Sequence, residues 1–182
     1  AVIVIHGFTE SAEKLREASY YIYNEGYSVY AVDLRDHGKS FRTSDKPGRV
    51  DTDDFFKYAT DLEYLVEKVI RAKNSQRKLY IFSHSLGSTA ALLYMMNNPC
   101  SIEKAVLSSP MICGNMGMPV FIAGTVARVL SAVGGKKIPA PGRCSFNPEL
   151  PFEKSDATSL ERFSYYHEKR KENKLLQTNG PS

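Results

Sequence analysis

The sequence predicts an α/β fold, a mostly parallel sheet with helices on both faces. Three observations predict it. Apolar, strand-like runs alternate with helix-spaced segments over residues 1–110, the order that strand–helix–strand connections produce. The opening run Ala1-Val2-Ile3-Val4-Ile5 is apolar throughout and enters His6-Gly7-Phe8, as a strand covered on both faces does before a loop. Finally, Ser83-His84-Ser85-Leu86-Gly87 lies between the run Lys78 to Phe82 and a helix-like run from Ser88 to Met96, which sets a serine on a sharp strand-to-helix turn.

Each element follows in order. Strand Ala1–Ile5 precedes a helix over Ala12–Asn24, which Gly26 stops. Strand Tyr27–Asp33 leads into a loop through Asp51. A long helix is expected over Asp53–Ala72, with Tyr58, Leu62, Val66, Val69 and Ile70 on one face and Thr52 or Asp51 as its cap. Strand Lys78–Ser83, a helix to about Asn97 and strand Lys104–Ser109 complete the alternation.

After Pro110 the pattern changes. Met111 to Pro151 is rich in Gly, Pro and Met, with Pro139-Ala140-Pro141-Gly142 as a rigid turn. Met118 to Val133 is almost wholly apolar but carries Arg128, and it is short of the roughly 20 residues a membrane span needs. It reads as a buried helix, one that can also line an apolar pocket together with Met116 and Met118. Ser159 to Leu176 reads as a charged helix with Leu160, Phe163, Tyr166 and Arg170 at three-to-four spacing, which makes His167 a partly exposed helix residue.

The chemistry centres on Ser85. A strand-to-helix turn pushes the serine Oγ out at the C-terminal edge of a sheet, and the helix N-terminus behind it offers free N–H groups and a positive dipole end to a developing oxyanion. Ser83 stands where a glycine is usual, and serine is small enough for the turn. The other informative loop is Asp33-Leu34-Arg35-Asp36-His37-Gly38-Lys39-Ser40. Asp33, Arg35 and His37 read as loop-holding residues that bond to backbone, and His6 as a loop histidine with no acid–base role.

With these residues in view, the chain resembles the α/β-hydrolases, in the serine-hydrolase group of monoacylglycerol lipases and bacterial lysophospholipases of the L2 type. The resemblance rests on His6-Gly7 with Glu10-Ser11, on Asp33 to Ser40 with Asp36 in place of a glycine, on Ser83 to Gly87, and on Ser109-Pro110-Met111. Leu160-Glu161-Arg162-Phe163, Tyr165-Tyr166 and Asn179-Gly180-Pro181 extend it to nearly the whole chain. It implies an α/β-hydrolase core over residues 1–110 and a helical cap over 111–182. Ser85 is then the nucleophile, and the backbone N–H groups of Phe8 and Leu86 form the oxyanion hole. The implied substrate is a monoacyl lipid ester, either a lysophospholipid or a monoacylglycerol. No metal or organic cofactor is implied.

Such a serine needs a histidine base held by an acid, in the chain order serine, acid, histidine. His167 is the one histidine after Ser85, and Asp156 precedes it. Neither follows a strand-like run, so this pair is rejected. The triad acid and histidine are expected beyond Ser182, and the chain reads as cut at both ends, opening in mid-strand. Two alternatives stay open: a carboxylesterase or proline-type aminopeptidase on the same fold, and a non-catalytic hydrolase-like binding module.

Composition agrees. With 182 residues, 42% of them hydrophobic, the chain can bury a sizeable core. A net charge of +4 is too mild and unclustered for a nucleic-acid binder, though it suits peripheral contact with anionic lipid. Cys100, Cys113 and Cys144 lack disulfide or zinc spacing. A cytoplasmic setting, with contact at the inner membrane left open, is the expectation.

Overall fold

The computed structural model describes residues 1–44, 48–112, 121–122, 124–126, 128–129, 146–155 and 157–178. Four parallel strands form one sheet in the order β2-β1-β3-β4: β1 Val2–Ile5, β2 Val29–Val32, β3 Tyr80–His84 and β4 Lys104–Ser108. Ile5 pairs with Val32 on one side and Ser83 on the other, and His84 pairs with Ser108. Every residue of β1 is buried, which is why that strand is apolar without alternation: it has a neighbour on each edge and cover on each face.

The helices are α1 Arg16–Asn24, α2 Phe56–Tyr64, α3 Leu86–Asn97 and α4 Leu160–Glu172. Tyr58, Leu62 and Val66 pack with Ala90, Ala91 and Tyr94 and with Ile3, Ile5 and Ile81 of the sheet into one core.

Several expectations need correction. Residues Ala12–Leu15 form a 3-10 turn, and the α-helix starts only at Arg16. Ser11 makes no capping bond; the backbone N–H of Ala12 instead donates to Asp33 Oδ1 at 2.7 Å, which ties that end to the loop after β2. The long helix keeps α geometry only to Tyr64 and continues as a π turn over Leu65–Ile70, closed by Arg71 N–H to Val66 O at 2.8 Å. Steps of four overshoot an α turn and fall just short of the wider π turn, so the switch returns Val66 and Ile70 to the core, both at 0% exposure. Asp51 and Thr52 do not cap this helix; the Asp51 N–H and the Thr52 hydroxyl donate to Asp36 instead.

His167 is also buried rather than partly exposed, at 7%. Its ring stacks on Phe163 with centroids 5.0 Å apart, and Nε2–H donates to Pro148 O at 2.9 Å. Position 167 follows Phe163 by four residues, so both lie under the segment at 146–152. Between Met118 and Val133, the described residues are helical, with Phe121, Ile122, Val126 and Val129 exposed rather than buried. Met116, Met118, Asp156 and the turn Pro139 to Gly142 lie outside the described residues. Among the described residues no helix is long and apolar enough to cross a membrane.

Candidate active site

Ser85 joins β3 directly to α3 with φ 49° and ψ −117°. Few non-glycine residues hold positive φ without compensation, and the surroundings supply it. The Ser85 N–H donates to Ser108 O at 3.0 Å, and its carbonyl accepts from Ser88 N at 2.9 Å and Met111 N at 3.2 Å. The backbone is thus gripped from β4, from the helix it starts, and from the segment after β4. The Ser85 side chain makes no hydrogen bond among the described residues and is left free on top of the turn.

Close approach explains the flanking residues. A Cβ at Gly87 would stand 2.5 Å from His6 O and 2.7 Å from Ile5 O. These are backbone atoms of a buried strand and its loop, and they cannot yield. Ser83 is fully buried, and its Oγ lies 3.0 Å from Ser88 Oγ, so the unusual serine bonds across the turn.

The loop after β1 lies against the turn. A Cβ at Gly7 would meet Ser85 Cβ, His84 Cδ2 and Glu10 Oε2, each at 3.1 Å. Glu10 Oε2 accepts the Gly7 N–H at 2.8 Å, and its Oε1 pairs with Lys14 and lies 3.8 Å from His84 Nε2. Phe8 and Leu86 therefore sit on two backbone segments in contact: Leu86 as the first, buried residue of α3, and Phe8 half-buried with its ring edge-on to His37.

Two of the buried histidines, His6 and His37, hold this loop as neutral rings. His6 Nδ1–H donates to Gly7 O at 2.7 Å while Nε2 accepts Leu34 N–H at 3.0 Å. His37 Nδ1–H donates to Arg35 O at 2.8 Å while Nε2 accepts Thr9 N–H at 3.3 Å. Burial pushes the His37 pKa down to about 4 and lowers that of His6 as well, as expected when desolvation penalises an imidazolium. Asp33 takes the N–H groups of Ala12 and Lys39, and Arg35 clamps Asp61 of α2 through two bonds of 2.7 Å.

Asp36 stands where the related signature has a glycine and has φ 63°, the left-handed value that glycine favours. Its carboxylate accepts from Thr43 N at 2.5 Å and Asp51 N at 3.2 Å.

An open cleft of about 1420 Å³ reaches the turn at Phe8 and His84 and runs beneath α4, where Tyr166, His167 and Arg170 line it. The Tyr166 hydroxyl and Ser11 Oγ are 3.3 Å apart. Burial pushes the Tyr166 phenol up to about 12, so the hydroxyl stays protonated. Among the described residues no group of three His, Cys, Asp or Glu side chains is placed to hold a metal ion.

Sequence reading anticipated the turn and the two loops. It missed Glu10 as the carboxylate that holds Gly7, although a glutamate three residues on can reach back to a loop N–H. It also missed the contact of Arg170 with the cleft; the visible signal was a cation on the apolar stripe of its helix.

Comparison with known proteins accords with this geometry. The family described as Hydrolase_4: Serine aminopeptidase, S33, matches residues 1–180. The chain is 29% identical to lysophospholipase L2 of Escherichia coli K12 over 122 residues, 67% of this chain and 36% of that protein. It is 28% identical to monoacylglycerol lipase of Mycolicibacterium smegmatis over 162 residues, 88% of this chain and 50% of that protein. A soluble variant of monoglyceride lipase from Saccharomyces cerevisiae, solved with a substrate analog, superposes with a TM-score of 0.66 at 20% identity, covering 98% of this chain and 55% of that one. The chain thus spans between a third and a half of the length of these two curated relatives. The fold is that of the α/β-hydrolases.

Proposed function

The chain belongs to the Hydrolase_4 (serine aminopeptidase S33) family, and from that premise we propose that it carries the nucleophile of a serine ester hydrolase acting on monoacyl lipids. The observation that carries this reading is Ser85, held at φ 49° and ψ −117° with a free side chain against the loop at Gly7.

In this reading Ser85 Oγ attacks the ester carbonyl. The N–H groups of Phe8 and Leu86 hold the oxyanion, each worth about 3 kcal/mol to the transition state. The serine proton passes to a histidine and from it to the leaving alcohol, and water then releases the acyl group. His6, His37 and His167 are committed to backbone partners, and none of the described histidines hydrogen-bonds Ser85. The relatives' names support a lipid ester, and the substrate comes from a cytoplasmic membrane surface that the protein touches peripherally.

The family description raises a second reading, an aminopeptidase. That activity needs an unpaired carboxylate for the substrate amine. At the cleft Glu10, Glu13 and Glu17 are already paired with Lys14, Arg16 and Arg162, while Glu161 has only Ser159 Oγ as a side-chain partner among the described residues. The ester reading is preferred on the names of the relatives.

The test is fluorophosphonate labelling of the full-length protein with mass spectrometry of the modified peptide. An adduct on Ser85 that Ser85→Ala removes, together with hydrolysis of monoacyl lipid esters, is expected. A folded protein that takes no adduct would overturn the reading in favour of a binding module.

A further inference from the structure

The cleft beneath α4 holds cations and carboxylates together, and nearly all of them are matched. Lys14 pairs with Glu10, Arg16 with Glu13, and Arg162 with Glu17. Two charged lining groups have no ion-pair partner among the described residues: Glu161, whose carboxylate accepts from Ser159 Oγ at 2.9 Å, and Arg170. Arg170 is half-buried and sandwiched by rings, with its guanidinium carbon 4.5 Å from the Phe146 centroid and 5.8 Å from that of Tyr166. Among the described residues its Nη2 makes a single long bond, 3.4 Å to Thr178 O, and its buried Nε has no partner.

Such an arrangement costs stability unless something compensates. A guanidinium removed from water needs acceptors, and its planar fork suits two oxygens of a carboxylate or phosphate. Two rings lie within cation–π reach of this fork and restrict it before anything binds. Burial lowers the Arg170 pKa, opposed by Tyr166 and Glu10, yet a guanidinium stays charged at neutral pH. Glu10 also holds the Gly7 N–H beside Ser85, and Glu10 and Arg170 line one cleft, which reaches Phe8 and His84 next to the Ser85 turn.

We propose that Arg170 recognises the phosphodiester of a monoacyl glycerophospholipid whose acyl ester is presented to Ser85, making the lysophospholipid rather than the monoacylglycerol the preferred ligand. This rests on the ester-hydrolase reading above and narrows it. The phosphodiester supplies the two acceptor oxygens that the fork lacks, whereas a monoacylglycerol offers only neutral hydroxyls.

The experiment separates binding from reaction. In the full-length Ser85→Ala protein, the affinity for an ether-linked lysophosphatidylglycerol is compared with that for the matching monoalkylglycerol, both below their micelle concentration. The phospholipid is expected to bind at least about tenfold tighter, as charge-assisted bonds allow, and this preference is expected to shrink with added salt. Arg170→Gln is expected to erase the preference while leaving alkylglycerol affinity within about twofold, and Arg170→Lys to restore part of it. Equal affinity for the two ethers in the parent protein overturns the proposal. So does an equal loss of both in Arg170→Gln, which marks a purely structural arginine. Failure of Ser85 to label with fluorophosphonate, with the phospholipid preference intact, refutes the hydrolase reading and leaves the anion site standing.

Discussion

The hydroxyls of Ser83 and Ser88 lie 3.0 Å apart, both fully buried, one at the end of β3 and the other in the first turn of α3. They brace the turn that carries Ser85 at the position where related turns have a glycine. A buried hydroxyl left alone costs about 1–3 kcal/mol. Ser83→Gly and Ser88→Ala are therefore each expected to lower stability by about 1–2 kcal/mol. The double variant should lose less than the sum, because neither hydroxyl is then stranded. Urea midpoints of the four proteins measure the coupling, and strict additivity would show that the pair contributes nothing.

Ser85 itself is held in an unfavourable backbone region by its neighbours. Ser85→Gly removes the Cβ that resists φ 49°. The expected result is a gain of about 1 kcal/mol in stability with complete loss of fluorophosphonate labelling. A variant less stable than the parent in thermal melts would mean that the serine backbone is not strained.

Asp36 presents the opposite balance. Asp36→Gly relieves a left-handed aspartate, a gain of about 1 kcal/mol. It also removes the acceptor of Thr43 N and Asp51 N, two bonds to a charged group, each worth about 1.5–3 kcal/mol. Net destabilisation is expected, so the family's usual glycine is the worse residue here. A raised melting temperature for Asp36→Gly would refute this weighting.

Acid should weaken the loop beneath Ser85. The His37 pKa falls from 6.5 to about 4 on folding, so between those values the unfolded chain binds a proton that the folded chain refuses. Stability is then full above pH 6.5 and declines as pH drops toward 4, by roughly 3 kcal/mol at most from this one group. His6 acts in the same direction. His37→Gln, which can keep one donor and one acceptor, should flatten the decline. Denaturation midpoints measured from pH 7.5 to 4.5 would test it, and identical slopes in the two proteins would exclude His37 as the source.

The strands and the Ser85 turn were legible because a central parallel strand has to be apolar on both faces and a tight turn has to be small. The break in the second long helix was not, since Leu62, Val66 and Ile70 have the same spacing in α and π geometry. The burial of His167 was hidden because it depends on Phe146, Pro148 and Phe163 meeting in space. Arg170 was visible as a cation on a helix face, but periodicity does not say which cations find carboxylates. That depends on α4 lying against α1, through Glu17 and Arg162.

The two walls of the cleft differ in how they can change over generations. On the sheet side, Gly87 leaves no room for even a methyl group against the carbonyls of Ile5 and His6, so a larger residue there would have to displace the strand. On the α4 side, the contacts to α1 are exposed side chains that exchange readily for others. A lineage can therefore remodel the partner it accepts through α4 while the reacting geometry is passed on unchanged.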